Sequence, residues 1–208
     1  IMPSLVGSEM CIRDSTNVGR EMFSREFGRP PADERELSGW VARNGRQKTT
    51  AVAGFDLTFT PVKSVSALWA VAPRELSQQI EAAHEDAIVA AVAYLEKHAC
   101  FTRVGSGGVA QVDGNGLIAA QFTHRDSRAG DPNLHTHVAI SNKVATTMPD
   151  GTTKWLALDG AALYRNNVPA SEVYNTVLEA QLRERIGVRF TERPSEDPSK
   201  RPVREIDG

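Results

Sequence analysis

The stretch Gln121 to Ile140, QFTHRDSRAGDPNLHTHVAI, contains three of the chain's five histidines in the spacing His-x10-His-x-His. Its flanks read as strands, Leu117 to His124 on one side and Leu134 to Val144 on the other. The nine residues between them, Arg125 to Asn133, are rich in Asp, Ser, Gly and Pro and read as a loop. Side chains alternate faces along a strand, so His135 and His137 project together, about 6.5–7 Å apart, while Thr136 and Val138 turn away. An antiparallel return through the loop brings His124 onto the same face. Three neutral imidazoles there make a donor set for a divalent metal with positions left for substrate oxygens. His-x-His alone is a weak signal, since a histidine on a strand is usually an ordinary surface or core group. The third histidine on the adjoining strand is what directs the pattern toward a metal.

Working outward, Phe55 to Phe59 alternates apolar and polar residues and predicts a half-buried strand with Phe55, Leu57 and Phe59 inward and Asp56 and Thr58 opposite. Two readings of Asp56 stay open. It can accept a ring proton from a ligating histidine or a proton from a nucleophilic hydroxyl, or it can be a solvent-facing carboxylate at a sheet edge. Pro61 ends the strand, and a short helix follows toward Val71. From Pro73 to about His98, Leu76, Ile80, Ala83, Ala87, Ala91, Tyr94 and Leu95 recur at helical spacing and predict a long amphipathic helix. His84 and His98 on this helix are expected to be solvated and apart from the other three. Phe101 to Val104, Val109 to Val112 and Leu117 to His124 predict a three-stranded meander separated by Gly-rich turns. Gly105 to Gly108 lacks the following Gly-Lys-Ser/Thr of a phosphate loop and reads as one of those turns. Beyond a turn at Pro149 to Gly151 and a strand at Lys154 to Ala157, Asp159 is placed to cap a helix running toward Ile186. Pro169 must break or kink that helix, and Gly187 ends it. Val188 to Glu192 reads as a last strand. The class is α+β, a central antiparallel sheet flanked by helices.

At 208 residues, 40% of them hydrophobic, the chain is long enough for one main core, and no apolar run reaches the length of a membrane span. Cys11 and Cys100 cannot build a disulfide framework, which favours a reducing, cytoplasmic setting. The formal net charge of −2 argues, by composition alone, against a nucleic-acid partner. Residues 1–15 lack the pattern of a signal peptide, and Ser4 to Ser15 resembles translated sequencing-adapter read-through, so they are set aside as non-native. Residues 16–192 are expected to form the domain. Within it, 16–48 reads as a polar covering segment anchored by Met22, Phe23, Phe27, Leu37 and Trp40. Residues 193–208 read as a polar linker or the start of a truncated remainder.

Gly54 to Ser66, GFDLTFTPVKSVS, followed by His124 to Arg128 and by Leu134-His135-Thr136-His137-Val138, resembles the MobF-class, TrwC-like conjugative relaxases of the HUH endonuclease superfamily. The likeness covers roughly residues 16–208. It implies a three-histidine divalent-metal site on the sheet, with His124, His135 and His137 as ligands and Asp56 as the catalytic carboxylate that assists the nucleophile. It implies metal-dependent, site- and strand-specific nicking of single-stranded DNA at an origin of transfer by tyrosine transesterification, in company with the conjugation machinery. Mg, Mn, Zn and Ni are not distinguished by such a ligand set. Lys63, Arg125 and Arg128 flank the motifs and are weak candidates for phosphate contacts, with solvated loop charges the plain alternative. A bound cation supplies positive charge that a count of Lys and Arg does not register.

The family's nucleophilic tyrosine lies near the N-terminus, and none of Tyr94, Tyr164 and Tyr174 matches it. The chain is therefore expected to bind metal and DNA without covalent cleavage. The competing readings are a non-catalytic single-stranded-DNA-binding module with a structural three-histidine metal, and a three-histidine metal hydrolase acting on a small substrate.

Overall fold

The computed structural model describes residues 2–5, 20–21, 23–44, 52–193 and 202–207. Cys11 and Met22 fall outside them. The chain divides into two compact units, Val6–Ala53 and, together, Ile1–Leu5 with Gly54–Gly208.

In the smaller unit, helix α1 (Glu34–Asn44) begins where Asp33 accepts a hydrogen bond from the Glu36 amide at 2.7 Å, a side-chain N-cap. Phe23, Leu37 and Trp40 form its buried cluster, with the Phe23 and Trp40 rings edge to face at 5.7 Å. Of the expected anchors, Phe27 instead stays half exposed.

The larger unit is built on a four-stranded antiparallel sheet. Its strands are β1 (Met2–Leu5), β2 (Gly54–Phe59), β6 (Pro132–Ser141) and β5 (Ala119–Asp126), in the spatial order β1-β2-β6-β5. The two central strands bury every second residue. Phe55, Leu57 and Phe59 of β2 and Leu134, Thr136, Val138 and Ile140 of β6 go into the core, leaving Asp56, Thr58, His135 and His137 on the other face. The buried face is covered by α3 (Arg74–Ala99) and α5 (Asn167–Ile186), which pack along each other. Ile80, Ala83, Ala87, Ile88, Ala91 and Leu95 form the buried stripe of α3, the three alanines permitting close approach. Tyr174 of α5 meets Phe59 of β2 with ring centroids 5.3 Å apart. Helix α2 (Lys63–Val71) follows β2 directly and packs near β6.

Three sequence expectations are corrected. The meander does not form: β3 (Phe101–Val104) and β4 (Ala110–Asp113) make a separate hairpin, and β5 pairs with β6. After β4 the chain is drawn away, since Asn115 donates to the Ala145 carbonyl at 2.7 Å and Gly114 passes so close to Cys100 that a Cβ would lie 2.6 Å from its sulfur. The strand expected at 134–144 is two. Ser141 Oγ accepts from the Lys143 amide and bends the chain into β7 (Lys143–Thr147), which pairs with β8 (Thr153–Ala157).

The helix from 159 to 186 breaks at Asn166, between α4 (Gly160–Arg165) and α5. Pro169 sits harmlessly in the first turn of α5, where its missing N–H has no intrahelical acceptor to lose. Gly187 ends α5 with φ 73°, as the sequence suggested. The stretch read as a linker contains a strand, β10 (Val203–Ile206). It pairs with β9 (Phe190–Arg193) and sends Glu205 to accept from the amide and hydroxyl of Ser64. Met2 to Leu5, set aside in the sequence reading, runs along the outer edge of β2.

Asp159 caps α4 through the amides of Ala161 and Ala162, at 3.1 and 3.3 Å, and holds Arg103 Nε at 3.0 Å. Asp159→Ala is expected to lower unfolding free energy by about 1–2 kcal/mol, seen as a lower denaturant midpoint at unchanged slope.

Candidate metal centre

His124, His135 and His137 stand together on the open face of the sheet. Register explains why: His124 is directly opposite His135, and Phe122, two residues earlier on the same face, is opposite His137. The three ring centroids are 5.2, 5.4 and 5.3 Å apart, close to an equilateral triangle. Imidazoles sharing one ion, with a metal–nitrogen bond of about 2.1 Å, hold their ring centres about 5 Å apart.

Two of the rings are also oriented for the task. His137 Nδ1 donates to Asp56 Oδ2 at 2.8 Å, with Thr58 Oγ1 beside it at 3.3 Å. His135 Nδ1 donates to the Asn133 carbonyl at 2.8 Å. Each bond places the proton on Nδ1 and leaves the Nε2 lone pair for a ligand. Among the described residues no group of three or more His, Cys, Asp or Glu side chains is already arranged to hold a metal ion. The fit rests on the ring triangle and on these two tautomer-fixing bonds. Asp56 Oδ1 adds a further indication: it is buried and has no hydrogen-bond partner in the structure.

A β-bulge follows the His124–His135 pair, so that Asn133 and Leu134 of β6 face the single residue Arg125 of β5. Asn133, which supplies the carbonyl to His135, is therefore one of the two bulged residues. Helix-facing residues of β5 alternate with those of the open face, and Arg125 is among them. It makes a two-pronged pair with Glu81 of α3, 3.0 Å at both contacts, which holds the Glu81 carboxyl below its usual range. Arg125 thus leaves the set of residues bordering the imidazoles. Lys63 is exposed at the start of α2 and donates to the Pro132 carbonyl at 3.0 Å, tying α2 to the root of β6. Arg128 is exposed in the loop between β5 and β6.

His84 is not solvated as the sequence suggested; only 2% of its surface is exposed. Its Nδ1 meets the Tyr174 hydroxyl at 2.8 Å and its Nε2 meets Thr136 Oγ1 at 3.0 Å, while Thr136 in turn meets Thr123 Oγ1 at 3.0 Å. Burial pushes the His84 pKa down to about 4. The sequence held one signal for this burial, since His84 falls beside Ala83 and Ala87 on the apolar stripe. His98 is exposed, as expected, with its ring against Tyr94.

None of the three tyrosines stands on the histidine face. Tyr174 lies beneath the sheet, Tyr164 packs edge to face on the inward Phe55, and the Tyr94 hydroxyl reaches Asn166.

The family model described as TrwC relaxase matches residues 11–208. The multifunctional conjugation protein TraI of Escherichia coli is 32% identical over 176 residues, covering 82% of this chain and 9% of TraI. TraI of E. coli strain K12 is 31% identical over 176 residues, covering 80% and 9%. The chain thus spans about a tenth of these relatives' length. Among solved structures, the copper-bound conjugative relaxase TrwC in complex with oriT DNA superposes with a TM-score of 0.63 at 22% identity, over 99% of this chain and 75% of TrwC. The metal-free complex gives 0.61 at 23%, over 99% and 74%. These likenesses establish a shared fold.

Proposed function

The chain belongs to the TrwC relaxase family, and on that premise we propose that it is the DNA-handling domain of a conjugative relaxase, working in the cytoplasm with the conjugation machinery on single-stranded DNA at an origin of transfer. The observation that carries the reading is the triangle of His124, His135 and His137 on an open sheet face, with two rings oriented through Nδ1. These three residues would hold a divalent metal, in keeping with the metal-bound forms of TrwC. The donor set admits Mg, Mn, Zn and Ni with differing affinity and does not by itself choose among them. When bound, such an ion neutralises charge on the non-bridging phosphate oxygens and positions the phosphodiester.

The remaining chemistry belongs to the chain's own side chains. Asp56 keeps the His137 proton on Nδ1 through Oδ2, and its unpartnered Oδ1 is an acceptor for the proton of an attacking hydroxyl. Arg128 and Lys63, near opposite ends of the β5–β6 loop, are placed for flanking phosphates. Phe122 supports a single-stranded ligand in particular. It is 55% exposed on the same face, opposite His137, where a duplex would keep its bases stacked inside and a single strand can lay one on the ring. Because the chain's tyrosines all lie off this face, the chain as it stands binds and orients a strand without forming a phosphotyrosyl bond.

The test is binding of a single-stranded oligonucleotide carrying an oriT sequence to the metal-loaded chain. Affinity is expected to fall as salt rises and to exceed that for the duplex form. Phe122→Ala is expected to weaken binding about tenfold with metal affinity unchanged. Salt-independent or absent binding would instead favour a small-molecule hydrolase.

A further inference from the structure

The strand that brings His124 to the site lacks the apolar support that β2 and β6 have. β5 is an edge strand, and all eight of its residues are exposed, in contrast to the alternating burial of β2 and β6. Its register shifts immediately after His124. Apolar burial therefore does not fix the position of this histidine, and strands held by backbone pairing alone are prone to slip or fray.

What β5 has instead is a row of polar contacts on its helix-facing side, at alternate residues. The Gln121 amide, oriented with its nitrogen toward α3, reaches both oxygens of Glu85 at 3.1 Å. Thr123 bonds Thr136 at 3.0 Å, and Thr136 bonds His84 at 3.0 Å. Arg125 makes its two-pronged pair with Glu81. The three partners on α3, Glu81 with His84 and Glu85 three and four residues further on, lie on one helix face. His84 is itself held from the far side by Tyr174 at 2.8 Å, and Glu81 also accepts from Trp69 Nε1 at 3.0 Å.

We propose that the Glu81–His84–Glu85 face of α3 is a positioning clamp for His124, gripping β5 at Gln121, Thr123 and Arg125 so that the histidine is presented to His135 and His137. Two of the three grips bracket the ligand: Thr123 and Arg125 are its immediate neighbours, and Arg125 is the residue opposite the bulge. Helix α3 is anchored in the core, so the clamp transmits the rigidity of the core to an edge strand that has none of its own. This inference rests on the three-histidine metal reading for its consequence, and on hydrogen bonds that exist without the metal for its structure.

The experiment is a double-mutant cycle read by Co²⁺ titration of the chain, with Co²⁺ as the probe. Glu81→Ala is expected to weaken Co²⁺ binding about tenfold or more and to give the absorption spectrum of His124→Ala. In the background of His124→Ala, adding Glu81→Ala is expected to cost nothing further, because the clamp acts only through that ligand. Thr123→Val, a gentler change at an exposed position, is expected to show the same pattern more weakly.

Amide exchange without metal supplies an independent readout: residues 119–126 are expected to exchange faster in Glu81→Ala while β2 and β6 keep their protection. Additive Co²⁺ losses, an unchanged affinity in Glu81→Ala, or uniform loss of protection would overturn the clamp. Absence of Co²⁺ binding by the unaltered chain would overturn the metal reading, leaving the clamp to stand or fall on the exchange pattern.

Discussion

His135→Ala is expected to abolish divalent-metal binding by this chain while leaving it folded, with at least a ~100-fold loss in a Co²⁺ or Mn²⁺ titration. The magnitude is a lower bound: altering a group that merely orients a metal ligand costs about 10–100-fold, and His135 is the candidate ligand. It stands at the middle of the constellation, opposite His124 in register and two residues from His137 on the same strand. Its removal leaves two imidazoles on different strands. The fold is expected to survive because His135 faces outward, whereas its neighbours Leu134 and Thr136 are fully buried. Unfolding midpoints of the metal-free wild-type and variant chains should therefore agree closely. Unchanged metal stoichiometry in a folded His135→Ala would remove this residue from the ligand set.

Acidification from pH 7 to pH 4 is expected to cost this domain about 3 kcal/mol through His84 alone. In the unfolded chain this imidazole takes up a proton near its ordinary value of 6.5, whereas in the folded chain burial holds it to about 4. Between those values the unfolded state binds more protons, so stability is fully present above pH 6.5, falls as pH drops through the window, and levels off below about 4. The structural reason is visible at both ring nitrogens, which are committed to Tyr174 and Thr136 in a site that excludes water. Denaturant unfolding at stepped pH checks this. The part of the slope between pH 6.5 and 5 should disappear in His84→Gln, which loses stability at neutral pH but carries no titrating group. A slope unchanged by that substitution would assign the acid sensitivity elsewhere.

These two histidines also show how far the sequence could be read. His135 was legible because period-two alternation assigns its face without knowledge of any partner, and the same rule correctly turned Phe55, Leu57 and Phe59 inward. The helix from Arg74 to Ala99 was legible for a similar reason, its apolar stripe being long and regular. His84 was misread because helical periodicity puts it on the apolar stripe without showing the polar partners that let an imidazole be buried there. Its burial depends on Tyr174 and Thr136, 90 and 52 residues away. The partner of Arg125 was equally hidden: the residue lies one position from His124 and so on the opposite face of the strand, where Glu81 reaches it from a helix. The meander failed because turn signals report that a chain reverses and not which strand it then joins. That choice was made at Gly114 and Asn115 by contacts with Cys100 and Ala145.

Strand β6 carries two interleaved texts. Its residues 134, 136, 138 and 140 spell the core, and residues 133, 135 and 137 spell the site, so neither can be shifted without the other. Insertion or deletion of a single residue between Leu134 and Ile140 would exchange them, burying the imidazoles under the helices and turning Leu, Val and Ile out onto the face where DNA is proposed to lie. The loop at 127–131 carries no such double meaning. In homologues and in engineered chains, length variation should therefore collect in that loop and be absent from the strand, even where individual side chains on β6 differ.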